Sequence, residues 1–270
     1  MPKPKSLIKI YGGKSYQIPQ LTQTFKRYPH NIFVDGFFGG GNILLNKKKV
    51  SREIVCDLNE PLINLYKVVR DNPKPLYNIL RTKEYSKETF DWAVDYNFPQ
   101  ENVNWAAKYL IRNRMSFSGL MGHYSWSNRI RRGMPENVSS YLGTIERIFT
   151  VSERLQGVDI RNQNTLDLLD RCSTFLSYKN VLLYCDPPYC DTTRVTPDVY
   201  EHEMSRDDHI RLLNIIKDAK CGVVISGYAS DLYESYLDKW QRFEYPVKVN
   251  MSKRKDGKMN DRTEVLWSNF

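Results

Sequence analysis

The feature that most constrains this chain is an alternation. Short apolar runs at 32–37, 53–57, 157–163, 181–186, 222–228, 243–251 and 264–267 are separated by stretches with helical periodicity. Runs this short read as strands, and strands alternating with helices pack into a mostly parallel, doubly wound sheet of an α/β fold. The intervening stretches carry matching signals. Residues 42–47 follow a glycine cluster, and 61–69 carry Leu62, Leu65, Tyr66 and Val69 at helical spacing. Residues 206–219 bring in Ile210, Leu213 and Ile216 after Ser205-x-x-Asp208, a capping-box pattern. A polar turn near Asp256-Gly257 joins the last two runs into an antiparallel hairpin that closes one edge.

One connection breaks the rhythm. About a hundred residues separate Asp57 from Gly157, far more than a single crossover needs. Within it, residues 71–143 hold Trp92, Trp105 and Trp126, many tyrosines and a cluster of cations. The expectation is a ligand-binding domain made of 1–70 and 144–270, with 71–143 as an inserted, mainly helical recognition domain.

Composition narrows the class. A 270-residue chain with 41% hydrophobic residues can bury a real core, which excludes a disordered chain. The net charge of +9 suits a polyanionic partner. No apolar stretch approaches the ~20 residues of a membrane helix. Met1-Pro2-Lys3-Pro4-Lys5 lacks the apolar segment of a signal peptide. A cytoplasmic protein with no membrane partner is expected. The five cysteines, Cys56, Cys172, Cys185, Cys190 and Cys221, make no Cys-x-x-Cys pair and read as reduced structural thiols. Four scattered histidines make no metal-ligand pattern. His202 and His209 read as residues on the outer face of a loop and a helix.

The run at 181–186 ends in Asp186-Pro187-Pro188-Tyr189. Pro188 keeps Pro187 extended, and neither proline offers an N–H. The turn therefore presents carbonyl oxygens and one carboxylate, followed by a planar ring. Such a turn suits an exocyclic amine on a flat molecule: the oxygens accept its hydrogens while the ring stacks.

A second motif ends the first run, Asp35-Gly36-Phe37-Phe38-Gly39-Gly40-Gly41-Asn42. Glycines between a strand and a helix let a ligand approach the backbone, and a helix start favours anionic groups. Asp57 ends the next run about twenty residues on, where an acid typically takes ribose hydroxyls. A nicotinamide dinucleotide is one candidate ligand, but Leu44 or Leu45 occupies the third position of a Gly-x-Gly-x-x-Gly pattern. Ahead of this, Tyr11-Gly12-Gly13-Lys14 resembles an anion cradle without being a Walker P-loop.

Taken in order, Tyr-Gly-Gly-Lys, Phe-Phe-Gly-Gly-Gly, an aspartate-ended strand, a large insertion, Asp-Pro-Pro-Tyr and Arg262-Thr263-Glu264-Val265-Leu266-Trp267 run nearly the length of the chain. This pattern resembles the Dam-like class of DNA adenine-N6 methyltransferases, notably its phage and restriction-modification members. The resemblance implies a Rossmann-like methyltransferase sheet with S-adenosylmethionine as cofactor. It would set Tyr11, Gly13 and Lys14 along the cofactor, with Phe37, Gly39 and Gly41 as its floor. Asp35 would face the methionine amino group, and Asp57 the ribose. Asn164 or Thr165 would meet the cofactor adenine, and Asp186 would border both cofactor and base. Tyr11 stands where many relatives have tryptophan, and Gly36 where many have proline.

The same resemblance implies the substrate, a target adenine flipped out of double-stranded DNA. Asp186, Pro187, Pro188 and Tyr189 would act on it. Recognition would fall to Arg112, Asn113, Arg114, Ser118, His123, Trp126, Asn128, Arg129, Arg131 and Arg132, with Lys253 and Lys255 of the last hairpin as phosphate contacts. A monomer is expected, and a restriction endonuclease sharing the same site would be its natural companion. The competing readings are cytosine-N4 or RNA adenine methylation, and a catalytically silent DNA-binding regulator.

Overall fold

The computed structural model describes residues 4–10, 13–94, 102–188, 204–253 and 259–270; at Ser173, 247–253 and 259–262 it describes the backbone alone. The strands, in chain order, are β1 (Ile32–Asp35), β2 (Arg52–Asp57), β3 (Ile130–Arg131), β4 (Met134–Pro135), β5 (Val158–Asn162), β6 (Val181–Cys185), β7 (Gly222–Tyr228), β8 (Gln241–Lys253) and β9 (Met259–Ser268). The first six helices are α1 (Ile18–Lys26), α2 (Asn42–Asn46), α3 (Glu60–Asp71), α4 (Pro73–Arg81), α5 (Lys87–Trp92) and α6 (Val103–Met115). They are followed by α7 (Glu136–Ile145), α8 (Ile148–Leu155), α9 (Thr165–Arg171), α10 (Arg206–Ile216) and α11 (Asp231–Tyr236).

The chain forms two compact units. One comprises Met1–Thr24, Phe38–Lys49 and Asp57–Asn162; the other comprises Phe25–Phe37, Val50–Cys56 and Gln163–Phe270. Residues 71–143 lie wholly within the first unit.

The second unit holds a sheet in the order β2-β1-β6-β7-β9-β8. β2, β1, β6 and β7 run parallel, while β9 is antiparallel to both β7 and β8. The C-terminal hairpin thus closes the edge with its later strand innermost. β6 is buried throughout, as a parallel strand covered on both faces must be. Around it lie Val34, Leu166, Leu169, Leu183, Leu212, Leu213, Ile216, Val223, Ile225 and Trp267. Each such side chain contributes about 1.5–3 kcal/mol of transfer free energy. α10 begins where the sequence says it should: Ser205 and Asp208 form both halves of the capping box.

The first unit is mainly helical. α3 packs on α6, and α4 packs on α6, α7 and α8. Ala106 and Ala107 of α6 are fully buried and let the helices approach closely. Asn59 caps α3 by accepting the Leu62 N–H at 2.8 Å, and Asn102 caps α6 by accepting that of Trp105 at 3.1 Å. Between α6 and α7 the β3–β4 hairpin turns on Arg132 (φ 55°) and Gly133 (φ 74°). Two left-handed residues in a two-residue loop are what a tight hairpin requires.

One expectation is corrected and another holds. His209 does not face outward. It is 1% exposed, and its Nδ1 lies 2.9 Å from the Tyr233 hydroxyl. The apolar residues of α10 do not occupy one narrow stripe, and His209 falls beside Leu212 and Leu213 on the covered side. Cys56, Cys185 and Cys221 are buried and outside any disulfide, as expected, with burial raising the thiol pKa of Cys185 and of Cys221, the latter to about 11. Cys190 and His202 lie outside the described residues.

Candidate active site

In the second unit the chain leaves β1 for β2 on one side and returns through β6 and β7 on the other. The strand order therefore reverses between β1 and β6. Ligands of open α/β sheets bind at such a switch point, beyond the carboxyl ends of the strands. Asp35 ends β1 and Asp186 follows β6, so both carboxylates stand there. Asp35 is 1% exposed.

The turn after β1 is braced from α9. The Thr165 hydroxyl donates to the Gly36 carbonyl, and the Gly36 N–H donates to the Tyr184 carbonyl at 3.0 Å. A Cβ at position 36 would sit 2.7 Å from Thr165 Cγ2, so glycine is required sterically. Thr165 is 4% exposed, and Asn164 accepts the Leu166 N–H at 2.8 Å as the cap of α9. Both residues suggested for the cofactor adenine thus already act within the protein. Phe37 is half-buried against the second unit's core.

Asp186 is half-buried and Pro187 buried. Ser226 of β7, with no exposed surface, donates to Asp186 Oδ1 at 2.7 Å. No sequence motif singles out Ser226. Its one signal is a lone hydroxyl interrupting the apolar run of β7. Tyr189 lies outside the described residues.

In the first unit the glycine cluster and Asp57 meet directly. Asp57 accepts the Gly39 N–H at 2.8 Å through Oδ2 and the Asn59 N–H at 2.9 Å through Oδ1. Asn162 clasps the Asp57 and Leu58 carbonyls at 3.1 and 3.0 Å. Tyr66 donates to the Gly40 carbonyl at 2.6 Å, and its full burial raises its phenol pKa. Gly41 has φ 67°, and a Cβ there would lie 2.7 Å from the Phe38 ring. The two glycine motifs also converge: ideal Cβ positions at Gly13 and Gly40 lie 3.7 and 3.5 Å from the Asn42 amide nitrogen. Lys14, in a short 3-10 turn, is 4% exposed. Tyr11 lies outside the described residues.

The basic segment divides. Asn113 is 2% exposed, and its amide accepts from the Lys9 N–H at 2.8 Å and donates to the Lys9 and Gly119 carbonyls at 2.9 and 3.2 Å. Arg114 is 9% exposed and donates to the Ser140 hydroxyl; burial, then the nearby Arg147, lower its pKa to about 10. The sequence assigns both to DNA reading, and the structure corrects this: their polar atoms point into the first unit. Arg112 donates to the Met121 carbonyl at 2.9 Å. Ser118 is half-buried with φ 53°. His123, Trp126, Asn128, Arg129, Arg131 and Arg132 lie toward the surface, with the Trp126 indole donating to Asn128 at 3.0 Å. The Lys253 side chain and all of Lys255 lie outside the described residues.

Residues 11–252 match the model of the D12 class N6 adenine-specific DNA methyltransferases. A type II methyltransferase of Lactococcus lactis subsp. cremoris is 24% identical over 96% of this chain and 93% of its own length. The DNA adenine methylase of Escherichia coli (strain K12) is 26% identical over 70% of this chain and 66% of its own length. The DNA N-6-adenine-methyltransferase of Escherichia phage P1 is 24% identical over 89% of this chain and 32% of its own length. With a sheet of the Rossmann-like kind, a switch point flanked by Asp35 and Asp186, and a family match across most of its length, the chain belongs to the D12 class of N6 adenine-specific DNA methyltransferases.

Proposed function

We propose that this enzyme transfers a methyl group from S-adenosylmethionine to the exocyclic amine of an adenine flipped out of double-stranded DNA, at a specific site. The observation that carries the reading is the Asp186 carboxylate at the switch point, held by Ser226 just beyond β6. The donor would supply an electrophilic methyl carbon on a sulfonium. Its chemistry suits the groups present. Asp35 is a carboxylate matched to a cationic ligand, and Asp57, fixed by two backbone N–H groups, is matched to a diol.

The chain's own residues would do the rest. Asp186 and the Pro187 carbonyl accept the two amine hydrogens. These bonds aim the nitrogen lone pair and stabilise the positive charge that develops on it. The ring of Tyr189 would stack on the extruded base, replacing stacking of about 1–3 kcal/mol. Extrusion is needed because the amine inside a duplex cannot reach the methyl group. The exposed cations Arg129, Arg131 and Arg132 would meet phosphates and base edges.

Methyl transfer from labelled S-adenosylmethionine to unmethylated genomic DNA, with nucleoside analysis of the product, tests this. Labelled N6-methyladenine is expected, and Asp186→Ala should lower kcat by at least about 10²–10³-fold. Labelled N4-methylcytosine, or label in RNA alone, would overturn the substrate. An Asp186→Ala enzyme with wild-type turnover would overturn the mechanism.

A further inference from the structure

β6 and β7 run parallel with Tyr184 opposite Val224 and Cys185 opposite Ile225. One residue on, Asp186 comes opposite Ser226. Side chains alternate along a strand, so Tyr184 and Asp186 lean to one face of β6 and Ser226 meets both. The Ser226 hydroxyl oxygen lies 2.7 Å from Asp186 Oδ1, 3.2 Å from the Tyr184 hydroxyl and 3.4 Å from the Cys185 carbonyl.

A hydroxyl has one hydrogen to donate. The nearest and charged acceptor takes it, because a hydrogen bond to a carboxylate is about twice as strong as a neutral one. The Ser226 proton therefore goes to Asp186, and the Tyr184 phenol donates to the Ser226 oxygen. The line runs Tyr184 to Ser226 to Asp186. Its far end is fixed, since Tyr184 is 1% exposed and meets the Phe25 ring edge-on at 5.5 Å. Ser226 follows Val223, Val224 and Ile225, all fully buried. A hydroxyl at such a position adds nothing to packing that a methyl group lacks and is costly to bury unless hydrogen-bonded.

We propose that Ser226 is a positioning residue for methyl transfer, with Tyr184 behind it. A bond to Oδ1 stops the Asp186 carboxylate from turning about its Cβ–Cγ axis. The plane in which it accepts the substrate amine is thereby set before substrate arrives. This rests on the reading of Asp186 as the amine acceptor.

Ser226→Ala, Tyr184→Phe and Asp186→Ala in the full chain test it, with kcat and the KM for S-adenosylmethionine and for unmethylated duplex DNA measured alongside thermal unfolding. Ser226→Ala is expected to lower kcat about 10- to 100-fold. Both KM values should stay within about twofold, because Ser226 touches neither substrate and its loss acts through the alignment of the Asp186 carboxylate at the reacting amine. Tyr184→Phe should lower kcat by less, about three- to tenfold, through its indirect hold on the carboxylate. Wild-type kcat in Ser226→Ala beside an inactive Asp186→Ala would overturn the positioning role and leave the Asp186 assignment standing. A raised KM at unchanged kcat would equally overturn it. An active Asp186→Ala would remove the assignment beneath it. Should Ser226→Ala fail to fold, Tyr184→Phe decides: unchanged kcat there breaks the line.

Discussion

Residues 112–132 write two different regions in the same letters. On α6, Asn113 and Arg114 are buried and bonded to backbone carbonyls, a backbone N–H and a serine. On and beside the β3–β4 hairpin, Arg129, Arg131 and Arg132 are exposed. The cause is the element, not the residue type. Ten of the thirteen residues of α6 are buried, so nearly every position on it points into protein. A hairpin of two-residue strands has no interior to offer. Charge along a sequence therefore marks candidates for DNA binding, and burial divides them into scaffold and surface.

The largest expected effect breaks this comparison from the scaffold side. Asn113→Ala removes three hydrogen bonds and strands the Lys9 N–H and the Lys9 and Gly119 carbonyls. Its cost should be about 2–4 kcal/mol of stability, as for a broken buried network. Urea unfolding measures it. A loss below about 0.5 kcal/mol, the usual range of a surface substitution, would place Asn113 with the exposed group. From the surface side, Arg131→Ala with Arg132→Ala should leave unfolding within about 0.5 kcal/mol of wild type. The same pair should weaken duplex DNA binding. It should also flatten the slope of log K against log salt by about one for every phosphate that these arginines neutralise. Binding titrations at several salt concentrations check this, and an unchanged slope would take the hairpin away from the DNA.

How far the sequence can reach follows the same line. The buried strands of the second unit's sheet are legible, because apolar runs such as 181–185 and 222–225 are too short for helices. The capping box at Ser205 and Asp208 is legible because it is local. Asp186 and the glycine cluster stand out in the sequence because proline restricts the backbone, and glycine frees it, wherever they fall. What stays hidden depends on partners distant in sequence. Asn113 meets Lys9 across 104 residues, and Ser226 meets Asp186 across 40. Neither spacing leaves a periodic trace. His209 misleads for a related reason: one polar residue on a helix tells nothing of what covers it, and here Tyr233 does.

A third expected effect sharpens the comparison at Lys9, a cation of the inward kind. Its ammonium donates to the Arg114 carbonyl at 3.3 Å. Burial, then the Arg114 charge, lower its pKa to about 8, with Glu136 opposing. The unfolded chain should titrate near 10.5, the ordinary lysine value. Between those values the unfolded state binds more protons than the folded state, so this group makes stability rise with pH. Below about pH 8 the folded protein carries the full cost of a partly desolvated charge. That cost is relieved as pH climbs through the folded pKa and is gone above 10.5. Lys9→Met keeps the stem and removes the titration. Other groups, notably the tyrosines and thiols whose pKa values burial raises, act oppositely at high pH and are common to both proteins. The difference in unfolding free energy, wild type minus Lys9→Met, measured from about pH 7 to about pH 9.5, should therefore increase with pH. A flat or falling difference would mean that the Lys9 ammonium is as well hydrated as the exposed arginines of the hairpin, and the division between the two regions would then begin at Asn113 rather than at the segment it clasps.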